Sequence, residues 1–395
     1  MLAKRTNATI SGAKSIAIGK VVGLEDMSAS EHPVEKCILD SRFLPESAPL
    51  NELLRLPWMG VLARDGSSQE DERLVISSLG DDAVVSEGDV IRVGPSSRYV
   101  EVLYRRGANA NALFVTERCN NFCIMCSQPP REVDDRWRYN ELMQVVDLID
   151  PTDHWLGITG GEPTLLGQQL FELLGRCAER LPHTALHVLS NGRRFADEAY
   201  AKATGGLHRE LTWGIPLYGD VAHLHDYVVQ QHGAFADTVR GLYHLSRAEQ
   251  TIEIRVVLVK DTVARLTELA KFIAWNFPFV SHVALMGVEP QGFAKANYQA
   301  VWQDPVEFAD GLQDAVATLH NRGVQTSIYN LPLCVLPRTL WPFARRSISD
   351  WKNTYLPACS GCCVRERCCG FFASIDTHWV SRAIAPITYQ SEAVA

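Results

Sequence analysis

Strand-like and helix-like segments alternate along the middle of the chain, and this alternation constrains the fold more than any other feature. Six apolar, strand-like runs follow one another, and they read ALFVTE, WLGITG, ALHVLSNG, LTWGIPLYG, TIEIRVVLVK and HVALMGVEP. Segments with amphipathic helical spacing lie near residues 141–149, 168–181, 236–247, 266–276 and 306–321. Six successive βα units predict an α/β fold with a parallel sheet and right-handed crossovers. Because eight strands are needed for the closed form, we predict a partial (β/α)6 barrel.

Two further regions flank this barrel, which we assign to residues 109–322. Residues 1–108 contain short strand-like runs separated by Gly, Ser, Asp and Pro, and they predict a β-rich N-terminal domain. Residues 323–395 form a cysteine-rich C-terminal extension. The sequence does not say what the N-terminal domain does, although an exposed sheet edge there would be able to capture an extended peptide by adding a strand.

Three cysteines, Cys119, Cys123 and Cys126, follow the first barrel strand in the segment RCNNFCIMC. A closed metal site takes four thiolates, so a triplet predicts a cubane cluster with one iron free to bind a small molecule. A zinc site with a fourth ligand from elsewhere, or buried thiols, is the alternative, but zinc sites usually use two separated pairs. The triplet, GGEP and SNG end the first three strands, so all three fall on the rim where such barrels place their chemistry.

The triplet resembles the CxxxCxxC motif of the radical S-adenosylmethionine (radical SAM) enzymes. The resemblance implies a [4Fe–4S] cluster that binds SAM, and a 5′-deoxyadenosyl radical that abstracts hydrogen from a substrate. The SAM-binding positions that it implies are Gly160, Gly161, Glu162, Pro163, Ser190, Asn191, Arg255 and Met125. At Met125 the family usually has an aromatic residue.

Physical reasons support the assignment of several of these residues to SAM binding. Glycines at 160 and 161 let backbone carbonyls approach a ligand closely, and Glu162 is able to face the ammonium group of SAM. The guanidinium of Arg255 suits the SAM carboxylate, but an ion pair with Glu253 explains the same residue equally well. Both interpretations of Arg255 stay open on the sequence.

The C-terminal region contains six cysteines, four of which resemble the auxiliary-cluster ligands of SPASM/Twitch radical SAM enzymes. These four are Cys334, Cys359, Cys362 and Cys368. The resemblance implies one auxiliary [4Fe–4S] cluster, and a structural zinc site with four cysteine ligands is the alternative. Cys363 and Cys369 are adjacent to proposed ligands and are expected not to bind the metal. Cys37 and Cys177 are expected to be structural.

The loop after the fourth strand supplies the candidates for the substrate side. Tyr218 and Asp220 lie at the rim there, and ordinary turn residues are the alternative explanation. The following segment, YGDVAHLHDYVVQQHGAF, resembles a stretch found at this place in peptide-modifying radical SAM enzymes. We expect His225 and Asp226 to fix the conformation of this loop.

A finer resemblance concerns the segments FVTERCNNFCIMCSQPPREVDD, LPLCVLPRTLWPFARRSISDWKN and LPACSGC. Together they resemble the C member of the radical SAM maturases of the His-Xaa-Ser repeat peptide system. This implies modification of a ribosomally made peptide, with a cross-link slightly favoured, and as partners a companion radical SAM maturase and an electron donor such as flavodoxin or ferredoxin. The alternatives are a small metabolite or nucleotide as substrate, or a non-catalytic metal-bearing scaffold.

The charge, the apolar runs and the cysteine content of the chain argue against several other classes of protein. A formal charge of −8 argues against nucleic acid as a partner, because phosphate binding depends on Lys and Arg. No apolar run reaches the length of a membrane span, and no apolar stretch follows the early basic residues as in a secretory signal. Eleven cysteines without such a signal are typical of a reducing compartment, so we expect a cytoplasmic protein.

Overall fold

The computed structural model describes residues 4–27, 32–45, 48–64, 73–346 and 353–388. Its strands are β1 (Lys4–Asn7), β2 (Thr9–Ser11), β3 (Ala17–Val22), β4 (Cys37–Asp40), β5 (Gly60–Leu62), β6 (Leu74–Ser77), β7 (Val90–Val93), β8 (Tyr99–Tyr104), β9 (Ala112–Phe114), β10 (Trp155–Thr159), β11 (Ala185–Leu189), β12 (Leu211–Pro216), β13 (Thr251–Val257), β14 (His282–Met286) and β15 (Gln325–Tyr329). Its helices are α1 (Leu24–Met27), α2 (Leu50–Leu53), α3 (Trp137–Leu148), α4 (Gln168–Arg180), α5 (Glu198–Lys202), α6 (Ala222–Val229), α7 (Ala234–Arg247), α8 (Lys260–Val263), α9 (Leu266–Asn276), α10 (Phe293–Ala296), α11 (Tyr298–Val301) and α12 (Ala309–Asn321). The outer ends of the two flanking regions, at residues 1–3 and 389–395, lie outside the described residues.

The middle of the chain forms one parallel sheet in the order β15-β14-β13-β12-β11-β10-β9. Every neighbouring pair in it is parallel, as βα units require. The six predicted strands are present, and α3, α4, α7, α9 and α12 match the predicted helices. In the described part of the chain β9 and β15 end the sheet, so the prediction of an open, partial α/β barrel is confirmed.

The sequence does not predict the seventh strand, β15. This strand pairs with β14 in parallel register, with Ile328 opposite Leu285. Its polar residues Thr326 and Ser327 are buried, so the apolar alternation that would indicate a strand is missing. The sheet therefore continues past residue 322, where the sequence placed the end of the barrel.

Side chains of the barrel strands alternate between a face that packs into the main hydrophobic core and a face that points into the barrel. In β13, Ile252, Ile254 and Val256 are fully buried in the main hydrophobic core, which also includes residues of α7 and α9. The intervening Arg255 and Val257 are partly exposed and line a cavity. Because side chains of a strand point alternately to opposite faces, this pattern places the polar residues of β13 inside the barrel.

The N-terminal domain is a sheet of eight strands in the order β1-β8-β7-β3-β4-β5-β6-β2. Its two end strands, β1 and β2, are consecutive in the chain and are separated by Ala8 alone. The sheet therefore closes on itself through this bent segment, where Ala8 N donates to Arg98 O (3.0 Å) and Gly80 N donates to Asn7 O (2.9 Å). β1 pairs with β8 and β2 pairs with β6, and peptide capture by an edge of this domain stays a prediction.

The N-terminal sheet packs against helix α3 of the barrel. Ile18, Val90 and Val145 belong to one continuous buried core. Arg92 Nε lies 3.1 Å from both carboxylate oxygens of Glu141 on α3. This contact fixes the N-terminal sheet beside β9, the end strand of the barrel.

The C-terminal extension has short 3₁₀ turns and little regular structure among its described residues. Ala344 forms an isolated parallel bridge with Ile328 of β15. Tyr298 Oη donates to His378 O (2.7 Å), so the extension also contacts the segment after β14. No helix in the described residues is long and apolar enough to span a membrane.

Candidate functional site

A cavity of about 280 Å³ lies at the rim formed by the carboxyl ends of the barrel strands. Ten of the residues predicted from the sequence line it: Cys119, Cys123, Met125, Cys126, Gly160, Gly161, Ser190, Asn191, Tyr218 and Arg255. They come from the loop after β9 and from the ends of β10, β11, β12 and β13. The carboxyl ends of parallel strands meet at one edge of the barrel, so residues far apart in sequence converge there.

The start of the cysteine loop is fixed by the glycines that follow β10. Gly161 N donates to Thr116 O (2.7 Å), and Glu162 N donates to Arg118 O (2.8 Å). A Cβ atom at Gly160 would lie 2.6 Å from Thr116 O, and one at Gly161 would lie 2.1 Å from Arg118 O. Glycine is required here because the backbone of the cysteine loop approaches so closely. The sequence analysis had instead explained these glycines by the close approach of a bound ligand.

The middle and end of the cysteine loop are fixed from the opposite side. Ile124 N donates to Val228 O at the end of α6 (3.0 Å), and Phe293 N on α10 donates to Cys126 O (2.8 Å). Gly292, with φ +58°, allows this approach, because a Cβ there would lie 2.6 Å from Cys126 O. Backbone contacts from α6 and α10 therefore fix the part of the loop that contains Cys123 and Cys126.

A third set of contacts, from Arg193, lies behind the loop between Cys119 and Cys123. Its Nη1 donates to Asn120 O (2.9 Å) and to Asn121 Oδ1 (3.0 Å). Asn191 Nδ2 also donates to Asn120 Oδ1 (2.6 Å). Arg193 thus joins the SNG segment to the cysteine loop, and the sequence analysis did not identify it because its partners lie about 70 residues away in the chain.

The three thiols are partly buried, and this environment disfavours their charged forms. Burial raises the pKa of Cys119 to about 11. Burial, together with the neighbouring Cys126 and Cys119, raises the pKa of Cys123 well above its usual range. A bound cation would reverse this effect, because metal coordination deprotonates a thiol. Three soft donors that meet in one cavity fit an iron–sulfur cluster, although no three His, Cys, Asp or Glu side chains among the described residues are grouped at metal-binding distances.

Glu162 is not among the residues that line the cavity, and its expected contact with an ammonium group stays a prediction. It is fully buried, and its Oε1 accepts from Thr164 N (2.9 Å), Thr164 Oγ1 (2.7 Å) and Ser190 Oγ (2.8 Å). Its Oε2 accepts from Asn191 N (2.6 Å). Burial raises the pKa of this carboxyl, and these hydrogen bonds oppose that rise. Glu162 therefore positions the SNG segment, and Pro163 begins the adjoining buried 3₁₀ turn.

Arg255 forms the ion pair with Glu253 that the sequence left open, and its pairing with a SAM carboxylate stays a prediction. Its Nη1 donates to Glu253 Oε1 (2.6 Å), while the side chain also lines the cavity. Glu253 is approached in addition by His282 Nδ1 (2.7 Å) and His187 Nε2 (3.3 Å). Burial alone would raise the pKa of Glu253, but the two histidines and Arg255 outweigh it and hold the pKa below its usual range. The sequence analysis missed both histidines, which lie on β11 and β14 and meet Glu253 only in the folded barrel.

The two substrate-side candidates have different positions. Tyr218 lines the cavity, and its ring stacks on His225 with 5.7 Å between ring centroids. Asp220 is not among the residues that line the cavity, and it pairs with Arg265 (2.6 Å). Burial raises the pKa of Tyr218 well above its usual range.

His225 and Asp226 fix the loop conformation, as expected. His225 Nδ1 accepts from Tyr218 N (3.2 Å). Asp226 accepts from Gly233 N (2.6 Å) and Phe235 N (2.8 Å). These backbone contacts set the position of Tyr218 in the cavity wall.

The C-terminal cysteines are partly brought together. Cys368 Sγ accepts from Leu333 N (3.4 Å), which places it beside the turn that contains Cys334. Cys362 Sγ accepts from Ile387 N (3.5 Å). Cys369 is buried, and its thiol is directed at Gly370 O (3.3 Å). Thiols that accept backbone N–H groups suit thiolate ligands, and zinc and an iron–sulfur cluster remain equally compatible with this donor set.

Comparisons with known proteins found no matching family model and no matching curated protein. Among solved structures, the chain is similar to Streptococcus suis SuiB bound to S-adenosylmethionine, with 14% sequence identity, 63% of this chain and 55% of that chain covered, and a TM-score of 0.46. It is similar to anSMEcpe with bound AdoMet, with 18% identity, coverage of 55% and 60%, and a TM-score of 0.44. It is also similar to HydG, a maturase of the [FeFe]-hydrogenase, with 10% identity, 56% of each chain covered and a TM-score of 0.39. The chain thus spans a little over half the length of these structures.

Proposed function

We propose that this protein is a radical SAM enzyme that modifies a ribosomally made peptide. The proposal rests on one observation above all: the three thiols of the CxxxCxxC segment, the SNG segment and Arg255 line a single cavity at the rim of a partial barrel. A scaffold without catalytic activity would not need nucleotide-binding groups beside its metal ligands. The cavity therefore favours an enzyme over the scaffold alternative.

Cys119, Cys123 and Cys126 would hold a [4Fe–4S] cluster. When bound and reduced, such a cluster supplies the electron that cleaves SAM into methionine and a 5′-deoxyadenosyl radical, which abstracts hydrogen from the substrate. The chain contributes binding, orientation and the exclusion of water, as is general for cofactor enzymes. The burial of Tyr218 keeps water from one side of the cavity.

The remaining cavity residues would bind and orient SAM. The guanidinium of Arg255 suits the carboxylate of the methionine moiety, and its bond to Glu253 fixes the orientation of the side chain. Gly160 and Gly161 line the cavity, and their backbone carbonyl groups would suit the ammonium group. Asn191 and Ser190 offer polar groups for ribose, and Met125 offers an apolar wall for adenine.

The finer parts of the proposal concern the substrate and the second metal site. We infer a peptide with His-Xaa-Ser repeats as substrate, a companion maturase and a flavodoxin or ferredoxin as electron donor, all in the cytoplasm. Cys334, Cys359, Cys362 and Cys368 would hold an auxiliary [4Fe–4S] cluster, which is able to accept the substrate electron in a net oxidation such as a cross-link. The resemblance of the C-terminal segments supports these inferences.

Anaerobic reconstitution with iron and sulfide, followed by reduction with SAM, tests the central proposal. We expect 5′-deoxyadenosine from the wild type and none from Cys119→Ala, Cys123→Ala or Cys126→Ala. Cys177→Ala is the matched control, because Cys177 is buried in α4 among core leucines. Equal product from the wild type and the triple variant would refute the proposal.

A further inference from the structure

We propose that the groove beside β9 binds an extended segment of the peptide substrate as an added strand and leads it into the candidate cavity. The inference rests on the peptide substrate proposed above. In the described part of the chain β9 pairs with β10 alone, because it ends the parallel sheet. The unpaired backbone groups of an end strand are a template for an extended chain.

The register between β9 and β10 identifies the unpaired groups. Gly157 N donates to the carbonyl of Asn111, just before β9 (2.9 Å), and Thr159 O accepts from Val115 N, just after β9 (2.8 Å), so both residues of β10 direct backbone groups toward β9. In a parallel pair, a residue opposite one that points toward it directs its own backbone N–H and C=O groups away from the neighbouring strand. Ala112 lies opposite Gly157 and Phe114 lies opposite Thr159. The N–H and C=O groups of Ala112 and Phe114 therefore point away from the sheet.

A groove of about 450 Å³ lies where these groups point. Three consecutive residues of β9, Ala112, Leu113 and Phe114, line it. Consecutive strand side chains point to opposite faces, so a groove that all three line lies beside the edge of the strand, in line with the sheet. The other walls are residues 101–103 of β8 and part of α3, including Leu142.

The groove adjoins the candidate cavity. Gln128 lines both, while Pro129 lines the groove and Pro130 lines the cavity. The carboxyl end of β9 is at the rim, so a chain that lies along β9 reaches the rim beside this segment. This continuity favours the peptide substrate as the occupant, because one bound chain would then extend from the groove to the site of hydrogen abstraction.

The charges of the groove favour recognition through the backbone. Arg138 pairs with Glu117 (2.9 Å), and Arg5 pairs with Glu101 (2.9 Å). Because these charges compensate each other, the groove does not select a strongly charged partner. An extended backbone, which needs donors and acceptors at alternate positions, matches what β9 offers.

A proline substitution at an outward-facing amide tests the inference. Ala112→Pro removes the N–H that points into the groove, whereas the N–H groups that bond to β10 stay in place. Ala112→Val is the matched control, because it changes the side chain and keeps the N–H. The probe is a synthetic fluorescent peptide with three His-Ala-Ser repeats, titrated into reconstituted full-length protein. Loss of one hydrogen bond predicts a Kd about fivefold higher for Ala112→Pro than for Ala112→Val.

An N-methyl scan of the probe gives a second readout that does not depend on the folding of any variant. Methylation of backbone amides should weaken binding at every second position, because alternate residues of an added strand bond to β9. Equal Kd values for the two variants, or a scan without a two-residue period, would overturn the inference. Failure of the wild type to bind the probe would also overturn it. Formation of 5′-deoxyadenosine without peptide tests the proposed enzyme separately, so the two failures are distinguishable.

Discussion

The hydrogen bonds of Glu162 predict how much the variant Glu162→Gln lowers the free energy of unfolding. Three donors converge on Oε1, and Oε2 accepts from the backbone N–H of Asn191 alone. In glutamine one of the two oxygens becomes an NH2 group. The amide oxygen is able to keep the donors at Oε1, so the NH2 group then faces Asn191 N, and two donors oppose each other in a fully buried place. A lost hydrogen bond to a charged acceptor costs about 1.5–3 kcal/mol.

Weaker bonds to the now neutral acceptor add to this cost, so we expect a loss of about 2–4 kcal/mol in the free energy of unfolding. Urea denaturation monitored by circular dichroism measures it. Glu172→Gln is the control, because Glu172 is exposed and accepts from Tyr139 Oη (2.6 Å), and its loss should cost less than about 1 kcal/mol. A difference below about 0.5 kcal/mol between Glu162→Gln and the wild type would refute the assignment of Glu162 as the residue that positions the SNG segment.

Three further predictions concern other parts of the molecule. Arg193→Met removes the donors to the cysteine loop and should reduce the change in the cluster's electron paramagnetic resonance spectrum on adding SAM, with iron content retained. Cys359→Ala with Cys362→Ala should lower the iron content by one cluster and spare uncoupled SAM cleavage. The pKa of Glu253 is lowered in the folded state, so the stability it contributes is present above its unfolded value of about 4.5 and is lost as pH falls further. The difference in stability between the wild type and Glu253→Gln should therefore shrink below about pH 4.5.

Each of these predictions has a result that would contradict it. An unchanged SAM response in Arg193→Met would mean that the backbone contacts from α6 and α10 suffice to fix the loop. Zinc in place of iron, or unchanged iron, in the double cysteine variant would exclude the auxiliary cluster. A constant stability difference across the acid range would show that Glu253 is not charged in the folded protein.

Several features of the fold were predictable because they depend on short-range patterns. The strands β10 to β14 are apolar runs that stand out between helical repeats, and the long helices α4, α9 and α12 have clear apolar faces. The strand β15 was not predictable, because its buried Thr326 and Ser327 break the apolar pattern. Their burial depends on hydrogen-bond partners, which are Val324 O for Thr326 and His282 of β14 for Ser327.

The strand pairing of the N-terminal sheet was also not predictable from the sequence. Its strands are visible as short β-rich runs, but the pairing of β1 with β8 and of β2 with β6 joins segments far apart in the chain. Propensity is local, and strand pairing depends on the whole sheet. The sequence therefore predicted a β-rich domain but not the order of its strands.

The sequence by itself determined which chemistry-bearing residues occur and on which rim they fall, because spacing within one strand and one loop is a property of adjacent residues. Only the tertiary structure decided what each residue does there. Glu162 is turned into the protein by four donors from two segments, Asp220 is paired with Arg265 outside the cavity, and Glu253 meets two histidines from other strands. These outcomes depend on side chains that are distant in sequence and meet only when the barrel forms, so no local pattern encodes them.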